Sequence, residues 1–242
     1  MIEEKKTTTA STQAKNNDVI EAMFKAGAHF GYPKSRRNAS VSKYVYGTKN
    51  KTEIIDLEKT FEMLQVAVGF VSELASVGKQ ILFISGKNES KNALKIGAMS
   101  VDMPYVAGRW IGGTLTNSVE IKKRVSKFED LQKQKEKGEL SKYTKRERML
   151  IEKEIENLDK MFSGIVGMKD LPKAVFVIDP KKESIAVAEA KKMNIPVIAL
   201  ANTDCDIKDI DYPIVANDAS ITSVTFFVNE IVKAYKAGKN SK

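Results

Sequence analysis

The chain has 242 residues, of which 42% are hydrophobic, 14 are Gly and 6 are Pro, and this composition excludes collagen-like and low-complexity proteins. Lys and Arg number 40 against 31 Asp and Glu, so the formal charge of +9 favours a polyanionic partner. One cysteine, Cys205, and one histidine, His29, cannot form an internal disulfide or a Cys/His zinc site, so we expect a reducing compartment and no structural metal.

The first 17 residues are polar, rich in Thr, Lys and Asn, and without periodic apolar positions, so we expect a disordered tail. This N-terminus has no apolar stretch of the signal-peptide kind, and the longest apolar runs elsewhere have five residues. We therefore expect a cytoplasmic protein that makes no membrane contact.

Apolar residues first recur at helical spacing after Asp18, and Gly27 ends the pattern, so we predict a short helix there. Residues 32–51 are predicted to be irregular, and the helical period returns over Phe61–Val77. Short apolar runs follow, each leading into a polar turn and a helical pattern; the main runs are Ile81–Ile84, Ala174–Ile178, Val197–Leu200 and Ile214–Val215. This alternation predicts a doubly wound α/β domain, Rossmann-like or flavodoxin-like, with a mostly parallel sheet.

Residues 118–163 break this alternation with a charged segment of 13 Lys and Arg and 10 Asp and Glu. Short heptad seams run over Ile121–Phe128 and Ile151–Phe162, Gly138 separates them, and Thr144–Glu147 match a capping box. We predict an antiparallel coiled-coil helical hairpin inserted into the α/β domain, with two separate surface helices as the alternative. The predicted parts are a tail (1–17), a discontinuous α/β domain (18–117 and 164–236), the hairpin (118–163) and a basic tail (237–242).

An enzyme of this fold would keep its chemistry in the loops after the strands, at 85–88, 179–182 and 201–206. Neither a Gly-x-x-x-x-Gly-Lys-Ser/Thr nor a Gly-x-Gly-x-x-Gly motif is present, and no histidine lies near Cys205 in the sequence to activate it. We therefore expect no catalytic residue, no metal site and no cofactor. An α/β enzyme that uses these loops, with the hairpin as a lid, remains an alternative.

Residues 32–51 are the most informative segment, because they contain six Lys and Arg and no Asp or Glu. Three tyrosines, Tyr32, Tyr44 and Tyr46, alternate with the cations. Aromatic rings stack on unpaired bases while Lys and Arg neutralise phosphates, so the segment predicts RNA contact. A solvated basic loop with its tyrosines tucked under the domain is the alternative.

A second unusual passage, residues 108–117, contains the only tryptophan, Trp110, next to Arg109 and followed by a glycine pair. Arg109 is suited to bidentate phosphate recognition, and glycines permit close backbone approach. Trp110 as a core residue in a tight strand-to-helix connection is the alternative, and the two readings are compatible.

Three ordered blocks carry a family signature. The first is Ala26-Gly27-Ala28-His29-Phe30-Gly31 with Asn38, Tyr44, Gly47, Asn50, Ile54-Ile55-Asp56-Leu57 and Lys59-Thr60; the second is Arg109-Trp110-Ile111-Gly112-Gly113-Thr114-Leu115-Thr116-Asn117; the third is Leu171-Pro172, Phe176-Val177-Ile178-Asp179, Ile195-Pro196-Val197, Thr203, Asp211-Tyr212-Pro213 and Asn217-Asp218. With these blocks the chain resembles the bacterial small-subunit ribosomal protein S2 family over residues 18–235.

The resemblance implies a non-enzymatic component of the small ribosomal subunit, seated on ribosomal RNA where head meets body, beside neighbouring small-subunit proteins. It also implies help in docking the messenger-binding protein S1. The chain departs from the family pattern at Tyr32, Arg37-Asn38-Ala39, Ala107-Gly108 and Asn202, where histidines, an aromatic residue and a carboxylate are usual. Family metal binding or base stacking at those positions is therefore not carried over.

We accordingly predict a ribosomal RNA-binding structural protein, with a free RNA-binding regulator unconnected to ribosomes as a further alternative. The predicted RNA-binding residues are Lys34, Arg36, Arg37, Lys43, Tyr44, Lys49, Asn50, Lys51, Arg109, Trp110, Thr116, Asn117, Lys122 and Lys123.

Overall fold

A computed structural model describes residues 16–168 and 170–240. Of the predicted tail, residues 1–15 lie outside the described part of the chain, whereas residues 16 and 17 already belong to the first helix, α1 (16–25). At the other end, residues 237–240 are helical instead of forming part of a tail, and residues 241–242 lie outside the described part.

The centre of the protein is a five-stranded parallel sheet in the order β5-β4-β6-β7-β8. Its strands are β4 (Ile81–Ser85), β5 (Tyr105–Ala107), β6 (Ala174–Ile178), β7 (Val197–Ala201) and β8 (Tyr212–Val215). All residues of β4, β6 and β7 are buried, as expected for strands covered on both faces. Strand β5 was not predicted, because three residues are too few for a periodic signal.

Helices cover both faces of the sheet, which confirms the doubly wound α/β prediction. They are α2 (Leu57–Ser76), α3 (Asn88–Met99), α6 (Ser184–Lys192) and α7 (Ile221–Asn240). Alternate strand residues enter two cores: Phe83 and Phe176 join the core formed with α2, α3 and α7, whereas Leu82 and Val175 join the core that includes α6. Among the described residues, no helix has the length and apolarity needed to span a membrane.

Residues 32–51 are more ordered than predicted. They contribute to a three-stranded antiparallel sheet of β1 (Phe30–Pro33), β2 (Val45–Lys49) and β3 (Thr52–Ile55), in the order β1-β3-β2. Asn50 and Lys51, both at positive φ (50° and 66°), form the two-residue turn between β2 and β3. The sequence pattern does not predict this hairpin, because no glycine marks the turn. A register shift between Val45 and Gly47 also disturbs the alternation of inward and outward side chains.

The charged segment forms two helices that contact each other, α4 (Ser118–Glu136) and α5 (Lys145–Phe162). Gly138 at φ 71° ends the first helical segment, and the predicted capping box of Thr144 and Glu147 is confirmed. Phe128 and Ile155 are buried, and Lys127 Nζ lies 2.5 Å from Glu154 Oε1 across the two helices. The coiled-coil geometry remains a prediction.

The base of the hairpin is tied to the sheet at Gly164, in the 3₁₀ turn Ser163–Ile165. A Cβ atom at residue 164 would overlap with the carbonyl oxygen of Tyr105 in β5 and with its ring. Only glycine therefore allows the turn to approach the edge strand this closely.

Replacement of Gly164 by Ala should lower the free energy of unfolding by about 1–3 kcal/mol, the usual cost of overpacking. Gly69→Ala is the matched control, because nothing lies within 4 Å of a Cβ atom there and residue 69 is inside α2. This control should stabilise the protein by about 1 kcal/mol through helix propensity. Urea denaturation measures both, and equal effects of the two changes would contradict the close contact.

Candidate nucleic-acid interface

The small antiparallel sheet is anchored at the carboxyl edge of the parallel sheet, through Thr203 after β7. The backbone N–H of Tyr32 donates to Thr203 Oγ1 at 2.9 Å, and that of Asn38 donates to the Thr203 carbonyl at 2.8 Å. A Cβ atom on Gly31 would lie 2.7 Å from Thr203 Cγ2, so the strand approaches this loop as closely as glycine permits. The basic segment is therefore held on a rigid support.

Most of the predicted cations of this segment face solvent. Of the predicted RNA-binding residues in this segment, Tyr44 is half-buried, and the exposed ones are Lys34, Arg36, Lys43, Lys49, Asn50 and Lys51. Two rings already have cations over them: the Arg36 guanidinium lies 5.7 Å from the Tyr32 ring centre and Lys43 Nζ 4.9 Å from that of Tyr44. Tyr46, which is 82% exposed, offers a fully accessible ring.

Arg37 differs from its neighbours because its charge is used inside the protein. Its Nη1 lies 3.1 Å from Oε1 of Glu53, a β3 carboxylate whose side chain has no exposed surface. Both Glu53 oxygens lack a hydrogen-bond partner of good geometry among the described residues. Arg37 is thus the counter-ion of a buried carboxylate, and its role in RNA binding stays a prediction.

The second predicted region follows β5, three strands away from β7 along the same edge, or about 14 Å at roughly 4.8 Å per strand. There Arg109, Thr116 and Asn117 are exposed, and Lys122 and Lys123 are exposed on α4. Trp110, in contrast, is only 6% exposed and packs in the core. The structure thus divides the predicted residues between two places on one edge.

Between these two places, an ion cluster occupies the crevice where open parallel sheets bind their ligands. Lys87 Nζ lies 2.8 Å from a carboxylate oxygen of Asp179 and 2.8 Å from one of Asp218. Asn202 Nδ2 donates to the other Asp218 oxygen at 3.0 Å. Each of the three charged residues directly follows a strand or lies within three residues of its end, so the cluster connects β4, β6 and β8.

The charges of this cluster stabilise one another, which is typical of a structural ion cluster. Burial acts to lower the pKa of Lys87, but the two carboxylates outweigh it and hold that pKa above its ordinary value. Burial raises the pKa of Asp218, and the Lys87 charge opposes that rise. The Cys205 thiol also has a raised pKa, chiefly through burial and then through Asp179 and Asp204, so it is a poor nucleophile.

A cation of the chain itself occupies the place where a metal ion would bind. Asp179, Cys205 and Asp218 present ligand atoms within 4.8 Å of one another, an arrangement that can hold a metal. Lys87 already neutralises both carboxylates, and burial favours the protonated thiol. The donor set is therefore committed to the ion cluster.

Comparison with known protein families identifies the family of this chain. A sequence model described as ribosomal protein S2 matches residues 23–238, almost the whole chain. The chain belongs to the ribosomal protein S2 family. Membership confirms the resemblance stated above and identifies a structural component of the small ribosomal subunit, in a family of ribosomal proteins rather than enzymes.

The fold of this protein depends on several side-chain contacts that were not predicted from the sequence. Lys87, Asp179 and Asp218 all follow strands of a parallel sheet, and this placement was an available signal for their proximity. Glu53 and Glu189, which are buried, had no such signal, because a lone carboxylate within a strand or helix is usually exposed.

Loss of the central cation should destabilise this S2 protein in a pH-dependent way. Lys87→Met should lower the free energy of unfolding by about 3–5 kcal/mol near neutral pH, because two buried carboxylates lose their counter-ion. Without Lys87 the pKa of Asp218 rises further, so the folded state takes up a proton more readily than the unfolded state as the pH falls. The deficit relative to the unchanged protein should therefore shrink as the pH falls.

Chemical denaturation between pH 5 and pH 8 measures this deficit. Lys95→Met, an exposed change in α3, the helix that Lys87 directly precedes, is the control and should change stability by less than about 0.5 kcal/mol. A deficit that is constant over this pH range would contradict the role of Lys87.

Arg37 and Glu53 should behave as a coupled pair. Arg37→Ala should cost about 3–5 kcal/mol of unfolding free energy, since Glu53 would remain buried without a counter-ion. Adding Glu53→Gln should restore much of the loss, whereas Arg36→Ala should change stability by less than about 0.5 kcal/mol. Additive effects of Arg37→Ala and Glu53→Gln in a double-mutant cycle would show that the pair is not coupled.

Proposed function

We propose that this S2 family protein is a structural constituent of the small ribosomal subunit that binds ribosomal RNA with the exposed cations of residues 32–51. The observation that carries the proposal is this acid-free run of cations, exposed on a small sheet that is anchored by Thr203. Because anchoring fixes the backbone, phosphate contacts are made with little loss of backbone entropy.

Arg109, Thr116, Asn117, Lys122 and Lys123 extend the proposed interface along the same edge of the sheet. Arg109 is exposed directly beside the buried Trp110, which fixes the backbone from which the guanidinium projects. Lys123 is paired with Glu120 at 2.7 Å, an exposed pair that RNA phosphates can displace at little cost. Two basic regions about three strands apart favour contact with more than one RNA segment.

The finer placement follows from family resemblance. Seating where the head meets the body of the subunit, contact with neighbouring small-subunit proteins and help in docking the messenger-binding protein S1 belong to this proposal. The closed ion cluster in the strand-end crevice supports a structural role over the enzymatic alternative, since its polar groups already bind one another.

The salt dependence of RNA binding tests the proposed interface. Each phosphate neutralised contributes about −0.7 to −0.9 to the log–log slope of affinity against salt. Replacing Lys34, Arg36 and Lys43 together by Ala should therefore reduce the slope by about 2–3. Arg37 stays unchanged in this variant, because its loss would damage the fold.

Filter binding to deproteinised small-subunit ribosomal RNA over a range of salt concentrations measures the slope. The matched control replaces the exposed Lys79, Lys95 and Lys239 by Ala, which removes the same charge from other parts of the surface. Equal slopes for the two triple variants would show that binding depends on overall charge, and they would contradict the proposed interface.

A further inference from the structure

Glu189 of α6 gathers the polar groups of the loop that follows β5. Its Oε1 accepts hydrogen bonds from Trp110 Nε1 at 3.1 Å and from the Gly113 N–H at 2.7 Å. Its Oε2 accepts from the N–H groups of Leu115 and Thr116 at 3.1 and 3.2 Å, and from the Thr116 hydroxyl at 3.2 Å. One carboxylate thus satisfies five donors of a single short loop.

The carboxylate is well suited to hold this loop in one conformation. The Glu189 residue is only 8% exposed, so its hydrogen bonds face little competition from water. Burial acts to raise the pKa of Glu189, but the donors from Gly113, Trp110, Thr116 and Leu115 outweigh it and leave that pKa below its ordinary value. Glu189 is therefore ionised at neutral pH, and its charge strengthens each of the bonds.

The same contacts engage the Gly113 N–H, so that this donor is not available to an external anion. The Gly113 N–H, with φ at +92°, points at Glu189 rather than at solvent. The loop is built like a backbone anion site, and a carboxylate of the chain already fills it. What remains exposed is its rim, namely Arg109, Thr116 and Asn117.

We propose that Glu189 is a positioning residue of the RNA-binding surface: from α6 it holds the loop, including the Thr116 hydroxyl, in the conformation from which the exposed side chains of Arg109 and Asn117 reach RNA. This inference rests on the proposed function. The negative charge of Glu189 by itself disfavours RNA binding. Its effect on the conformation of the loop favours RNA binding.

Glu189→Gln tests the hydrogen bonds of the carboxylate without changing the size of the side chain. The amide N–H₂ group of Gln would face backbone N–H donors and could not accept their hydrogen bonds. Trp110 is the only tryptophan, so its fluorescence reports directly on the loop. The expected results are a shift of the emission to longer wavelength and about tenfold weaker binding to deproteinised small-subunit ribosomal RNA, a loss equal to one charged hydrogen bond.

Glu183→Gln is the control. Its carboxyl group is also buried beside α6, but it contacts Gly86 instead of the loop, and burial raises its pKa, so a neutral amide suits the site. This variant should keep the emission and the affinity of the unchanged protein. A shifted Trp110 emission with unchanged RNA affinity for Glu189→Gln would overturn the positioning role, and so would an unshifted emission.

A second variant keeps the test decisive if Glu189→Gln does not fold. Glu189→Ala leaves space for a small carboxylate, so formate should restore the native emission and should give tighter RNA binding than an equal concentration of chloride, because both salts weaken phosphate contacts to the same extent. Failure of formate to restore either property would contradict the inference. Absence of salt-dependent binding by the unchanged protein would instead overturn the proposed function, and it is recognised independently of any Glu189 variant.

Discussion

The ammonium group of Lys87 holds together the carboxyl ends of three strands of the parallel sheet. It contacts Asp179 after β6 and Asp218 after β8, while Lys87 itself follows β4. A buried charge is stable only with a partner, so this cluster specifies one arrangement of the strand-end loops. Those loops in turn support the antiparallel sheet, because Thr203 anchors Tyr32 and Asn38 and lies next to Asn202, the neighbour of Asp218.

The charged residues of this protein therefore form two groups with different roles. Lys87, Glu53 and Glu189 are largely withdrawn from solvent, the half-buried Arg37 pairs with Glu53, and these charges hold the chain in place. The exposed cations of the basic segment and Arg109 instead face solvent, where phosphate can reach them. In this protein, the crevice used for ligands by related folds is thus filled by an ion cluster that supports the edge proposed to bind RNA.

Features of the fold that depend on neighbouring residues were predictable from the sequence, whereas contacts between distant residues were not. Buried strands such as β6 were identified to the residue, because five consecutive apolar residues and a following turn are local features. The β2–β3 hairpin was missed because its turn uses Asn50 and Lys51 at positive φ, a conformation that sequence patterns associate with glycine. The partners of Glu53 and Glu189 depend on contacts far apart in sequence, which no local pattern encodes. The basic segment was found because composition alone reveals it.

The most direct test of this account is sedimentation of native lysate through gradients at low and at high salt, with fractions probed for this chain. The account predicts that the protein migrates with the small ribosomal subunit at low salt and is partly released at high salt, because phosphate contacts weaken as counterions compete. A protein that stays at the top of both gradients would contradict its assignment as an RNA-bound constituent of the subunit.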